Sequence, residues 1–147
     1  MPKRFFLYSL VGLIVAGAAF QWRSKPDQVS DERAAPRVDE AGTVRVGSVR
    51  LWQDYTTNEV AADNLYKGKR LRVIGRVLTI GKDPDGAAVL NLVSGNAIFQ
   101  TMATLEADET QRAATLTRGT QVEVECVGKG VTMKMPQLEN CFLLAPR

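Results

Sequence analysis

The strongest constraint in this sequence is a change of hydrophobic period after Lys69. Leu71, Val73, Gly75 and Val77 alternate with Arg70, Arg72, Ile74 and Arg76, the pattern of a strand with one buried and one solvent-facing side. Val122, Val124 and Cys126 alternate with Glu123 and Glu125 in the same way. Other elements can be ordered around these two. Residues 48–66 predict a helix, because Trp52, Tyr55, Glu59, Ala62 and Tyr66 recur at spacings of three and four along one stripe. Ser48 is the candidate cap and Gly68 the candidate stop. After the first strand, Asp83-Pro84-Asp85-Gly86 predicts a turn, with proline pre-set for it and glycine free to take positive φ. Residues 87–93 and 97–102 predict the next two strands, 105–116 a second helix and 120–126 the fourth strand. Gly128-Lys129-Gly130 predicts a loop and 138–144 the last strand.

The resulting order is helix, three strands, helix, two strands. It is the order of a five-stranded Greek-key barrel of the OB type. The expected class is therefore mainly β, a β-barrel with helices: an OB-fold over residues 48–147, led by an amphipathic helix at 48–66. A different small barrel or an α+β sheet is the competing arrangement.

The N-terminus has another character. Lys3 and Arg4 precede an apolar run over residues 5–20, and Trp22 follows it. A cationic head resists translocation while an apolar helix partitions into lipid, so residues 1–22 predict a signal or anchor helix. At about 1.5 Å per residue the run spans roughly 24–27 Å, slightly short of the ~30 Å hydrocarbon core. Ala16 and Ala18, or Gly17 and Ala19, would also serve as a cleavage site. Uncleaved, the helix makes the membrane a partner, giving a single-pass inner-membrane protein with its C-terminal domain in the periplasm. Cleaved, it leaves a secreted or periplasmic protein. No cysteine lies near this segment, which excludes a lipid-modified one. Residues 23–47 mix charges of both signs with Pro26 and Pro36 and few large apolar side chains, which predicts a disordered linker.

Export gives meaning to the two cysteines, Cys126 and Cys141, 15 residues apart. An even count in an oxidising compartment favours a disulfide, and closing such a loop stabilises by ~3 kcal/mol through lost chain entropy. Two cysteines without histidine supply only half a tetrahedral zinc site. The absence of histidine also removes the commonest general base and every imidazole-dependent triad. No enzyme, cofactor or metal is expected.

Candidate binding residues fall in two groups. Lys67, Lys69, Arg70, Arg72 and Arg76 form a basic stripe that invites nucleic acid. Against this, Glu123 and Glu125 lie on the strand expected to pair with it, so cross-strand ion pairs are the simpler expectation. The overall balance, 19 basic against 16 acidic residues with Lys3 and Arg4 outside the domain, is too small for a general polyanion binder. The second group surrounds the usual OB binding surface: Lys82, Lys129 and Lys134 in or beside the loops, with Asn91, Phe99 and Gln100 on strands two and three. Together these could hold an anionic or sugar-like ligand. Asp83-x-Asp85-Gly86 lacks the later oxygen ligands of a calcium loop, and Glu59 with Asp63 names no reaction.

The sequence Tyr55-x-x-Asn58-Glu59-x-x-Ala62-Asp63-x-x-Tyr66-x-Gly68-Lys69, running into Leu71-x-Val73-x-Gly75-x-Val77, resembles the tRNA-anticodon-like OB-fold family of bacterial proteins. The likeness extends through Leu116-x-x-Gly119-x-x-Val122-x-Val124 to Asn140-Cys141. It implies an OB barrel preceded by a helix carrying Tyr55, Asn58, Glu59, Tyr66 and Lys69, in an exported or membrane-tethered protein. It implies no activity, since the family name records likeness of fold to anticodon-binding domains. The expected function is non-catalytic binding of an envelope protein or a small, anionic envelope ligand. The alternative is an OB domain for single-stranded nucleic acid, which the near-neutral charge and scarcity of aromatics beside the stripe argue against.

Overall fold

The computed structural model describes residues 31–144. The expected leader helix at 1–22, and residues 23–30 of the expected linker, lie outside the described residues. Among those described, no helix is long and apolar enough to cross a membrane.

In chain order the elements are β1 (Arg37–Val38), β2 (Val44–Gly47), α1 (Ser48–Thr57), α2 (Glu59–Tyr66), β3 (Arg70–Lys82), β4 (Ala88–Leu92) and β5 (Thr101–Leu105). A 3-10 turn at Ala107–Glu109 then leads into α3 (Thr110–Ala114), followed by β6 (Gln121–Thr132) and β7 (Met135–Leu143). Five strands close a barrel in the order β3-β4-β5-β7-β6, with β6 returning to β3. β5 and β7 are parallel; the other barrel pairs are antiparallel. This is the expected OB topology.

β3 makes closure possible. Its first half, Arg70 to Arg76, pairs with β6, and its second half pairs with β4, with a register shift between Val77 and Thr79. Such an irregularity bends a strand and lets it serve two sheets. Inward residues from all five strands, among them Leu71, Val73, Leu90, Leu92, Ala103, Val124 and Leu138, fill the interior. α1 touches β2, β3, β5 and β7 and contributes Leu51 and Tyr55 to the core.

The linker expectation is corrected over residues 31–47. β2 runs parallel to the first half of β3, from Val44 opposite Leu71 to Gly47 opposite Ile74, and β1 pairs with β2. β4 leaves that edge of β3 open, and Val44 and Val46 are buried against it. Two valines were too few to signal a strand by composition; the open edge supplies the reason for one.

Several boundaries also differ. The helix expected at 48–66 is two helices broken at Asn58, whose side chain accepts from the Ala61 N–H and caps the second. Ser48 is not a cap: its hydroxyl donates to the Val93 carbonyl at 2.6 Å. The third strand begins at Thr101, so residues 95–100 are loop. The helix expected over 105–116 shortens to α3 and its 3-10 lead-in. Gly128-Lys129-Gly130 is not a loop, because β6 continues through it with register shifts on either side of Gly128. The chain reverses instead at Met133 and Lys134, with φ of 52° and 63°, the left-handed pair that a two-residue hairpin needs. The Asp83–Gly86 turn stands as expected: Asp83 Oδ1 accepts from the Asp85 and Ala87 N–H groups, and Gly86 takes φ +89°. Cys126 and Cys141 are disulfide-bonded and buried, with Cα atoms 4.2 Å apart, stapling β6 to β7.

Candidate binding face

On the outer surface of β3 and β6 the arginines of the basic stripe are held in ion pairs. Arg72 Nε donates to Glu125 Oε2 at 3.0 Å, and Arg70 Nε lies 3.8 Å from Glu125 Oε1. Arg45 of β2 reaches Glu123 at 3.2 Å. Arg76 Nε donates to Glu32 Oε1 at 2.6 Å, and that hydrogen bond, with the carboxylate's charge, raises the Arg76 pKa. Lys67 pairs with Asp63 at 3.4 Å, and Lys69 Nζ donates to the Asn64 carbonyl at 2.6 Å. Every cation of the stripe therefore has a protein partner. Glu32, which the sequence reading left in the linker, is buried among them.

The helix motif is a clamp. Tyr55 of α1 donates to Asp63 of α2 at 3.1 Å, and Tyr66 of α2 donates to Asp54 of α1 at 2.6 Å. Each helix thus gives one phenol and receives one carboxylate, with the rings 6.0 Å apart. Burial first, then these carboxylates, push both phenols above their ordinary pKa, which keeps them protonated as donors. Arg50 Nε completes Asp54 at 2.7 Å. The chain leaving α2 lies on β6, where the Gly68 N–H donates to the Gly128 carbonyl at 2.7 Å. A Cβ at Gly128 would overlap the Tyr66 carbonyl, so only glycine admits this approach. Glu59 is exposed in the first turn of α2, where its charge suits the helix dipole. Asp63 bonds Tyr55 and Lys67.

The remaining candidates concern the outer face of β4, β5 and β7, framed by the β3–β4 and β6–β7 turns, where OB barrels commonly meet ligands. Register places Thr79, Asn91, Met102 and Gln137 side by side across β3, β4, β5 and β7. The row is uncharged and linked: Asn91 Nδ2 donates to Thr79 Oγ1 at 2.8 Å, and Gln137 Nε2 reaches Met102 Sδ at 3.5 Å and the Met135 carbonyl at 3.0 Å. At one end the Lys134 ammonium sits over the Phe99 ring, 5.7 Å from its centre. Ile98 and Met133, the chain neighbours of that pair, are 73% and 78% exposed. Ser94 and Asn96 hold the loop here: Asn96 Oδ1 accepts from the Ile98 and Phe99 N–H groups, and the Ser94 hydroxyl bonds the Phe99 carbonyl.

At the other end is a depression of about 410 Å³ bordered by Asp83, Asp85, Glu106, Glu139, Asn140 and Lys129. Lys129 is bound to Glu139 at 3.2 Å. The other three carboxylates have no cationic partner among the described residues. The three lysines expected around one anion site therefore do not make one. Lys129 lies in an acidic depression and Lys134 on an aromatic ring. Lys82 pairs with Ala88, on the side of the β3–β4 ribbon that carries Leu90, so it faces away from Asn91. Gln100 is half-buried just before β5. Thr79, Met102, Gln137, Ile98 and Met133 were missed by sequence reading. Alternation around the third strand could have exposed Met102, but Gln137 and Met133 depend on a hairpin whose turn carries no Asn-Gly signal.

Barrel topology, helix clamp and face together define an OB-fold protein with an N-terminal β-extension. The family model for tRNA_anti-like proteins matches residues 1–142, and the chain belongs to this family. A crystal structure described as a "putative nucleic acid-binding lipoprotein" from Klebsiella pneumoniae subsp. pneumoniae shares the fold, with a TM-score of 0.52 and 20% identity over 67% of this chain and 89% of that one. No curated protein matches.

Proposed function

We propose that this chain is a non-catalytic binding protein of the bacterial envelope that holds a protein partner on the outer face of β4, β5 and β7. One observation carries the reading. Ile98 and Met133 stand exposed at 73% and 78% on a hydrogen-bonded loop and a tight hairpin, apolar side chains that a protein partner could cover. The cationic Lys3-Arg4 head with its apolar run, and the Klebsiella neighbour's description as a lipoprotein, support the envelope location. Lack of histidine supports binding without turnover. A photo-crosslinking residue at Ile98 or Met133, in cells, tests the reading: a discrete protein adduct is expected, and adducts only to lipid or nucleic acid would refute it.

Nucleic acid is the second reading, favoured by the Lys134 cation stacked on Phe99 and by the description of the Klebsiella protein. It requires retention of single-stranded oligonucleotide at low salt that weakens in Lys134→Ala.

A further inference from the structure

We propose that the partner's bound segment is an extended peptide that places an apolar residue at the Phe99 end of the face and a lysine or arginine at the acidic end, four to seven positions away. This rests on the protein-partner reading above. β5 is hydrogen-bonded on both sides, to β4 and to β7. No backbone edge is therefore open along it, and a partner is recognised through side chains rather than by adding a strand.

Asn91 spends one amide N–H on Thr79 Oγ1, and Gln137 directs its amide nitrogen at the Met135 carbonyl and Met102 Sδ, so both side-chain carbonyl oxygens are left as acceptors for peptide N–H groups. Asp85 and Glu106 border the depression with no cationic partner among the described residues, Lys129 being bound to Glu139. A face rich in acceptors and carboxylates suits a donor-rich, cationic segment. A phosphate backbone, itself all acceptors and negative, would meet four carboxylates there and one lysine already bound to Glu139. At the opposite end Ile98, Phe99 and Met133 offer apolar contact.

Spacing follows from β5. Met102 and Thr104 point outward with Glu106 beyond them. From Met102 to Glu106 is roughly 13 Å at strand rise, and Phe99, in the loop before β5, lies at most roughly 23 Å from Glu106, the reach of four to seven extended residues.

Random dodecapeptides displayed on phage, selected against the full-length protein in lipid nanodiscs, test this directly. Enriched peptides are expected to carry an apolar residue and a basic one at that spacing. Their affinity should fall about tenfold in Ile98→Asp and in Glu106→Lys, with Asp85→Lys as a second charge variant. Thermal melts establish that each variant is folded. Peptides that need Ile98 but are acidic or uncharged, and bind Glu106→Lys as well as the parent, overturn the inference while leaving the partner reading intact. No enrichment, or enrichment indifferent to Ile98→Asp, overturns both.

Discussion

Across β2, the first half of β3 and the facing part of β6 the outward charges are matched, whereas across β4, β5 and β7 the outward row is uncharged and Glu139, paired with Lys129, is the exception. Arg45, Arg70, Arg72 and Arg76 meet Glu123, Glu125 and Glu32. Asn91 bonds Thr79, Gln137 bonds Met102 and the Met135 carbonyl, and Asp85 and Glu106 have no cation among the described residues. Both surfaces cover the same apolar barrel. Matched charge satisfies itself and leaves little for a ligand, while an unmatched surface keeps its bonding capacity. The chemically louder stripe is thus the weaker functional candidate.

Changes on the two surfaces should separate stability from binding. The largest loss of stability is expected at the seam between them, where the cystine joins β6 to β7. Replacing Cys126 and Cys141 by serine should cost about 3 kcal/mol, read by denaturant unfolding. Next is the matched side: Glu32→Gln removes the carboxylate from Arg76, and about 1–2 kcal/mol should be lost, since Arg76 can turn to water. A melt unchanged within error would show that this pair contributes nothing. The helix clamp gives a pH signature. Tyr55 and Tyr66 have folded pKa values above the ordinary 10.0. Their contribution is complete below pH 10 and is lost as pH rises further, because the unfolded phenols ionise first. Stability should therefore decline above pH 10, and less steeply in Tyr66→Phe, which lacks one of the two linked groups. The smallest stability effect is expected on the unmatched side: Ile98→Asp should change stability by less than about 0.5 kcal/mol. A large loss there would make Ile98 a packing residue and erase the contrast.

Much of the barrel was legible because its signals are local. The alternation from Leu71 to Val77 and from Val122 to Cys126 marked the two strands that close it, and Asp83–Gly86 marked its first hairpin. Ion pairing of Arg70 and Arg72 with Glu125 followed from topology alone. Glu32 did not, because nothing near it in sequence shows that Arg76 lies beside it. Lys82 was grouped with Asn91 because both flank the same hairpin; one step of register sends them to opposite sides. Tyr55, Asp63 and Tyr66 were legible as a helical motif, but Asp54 was not, and the exchange between two helices depends on the break at Asn58.

By itself the sequence determined the strand periods, the cysteine pair, the absence of imidazole chemistry and the family. Each is fixed by residue identity or by backbone geometry over a few residues. Tertiary structure alone decided that residues 31–47 belong to the domain, that every cation of the basic stripe has a protein partner, and that Ile98 and Met133 stand exposed among the described residues. Those outcomes depend on register, on barrel closure and on which strand edge is left free, and such long-range pairings leave no periodic trace in the chain.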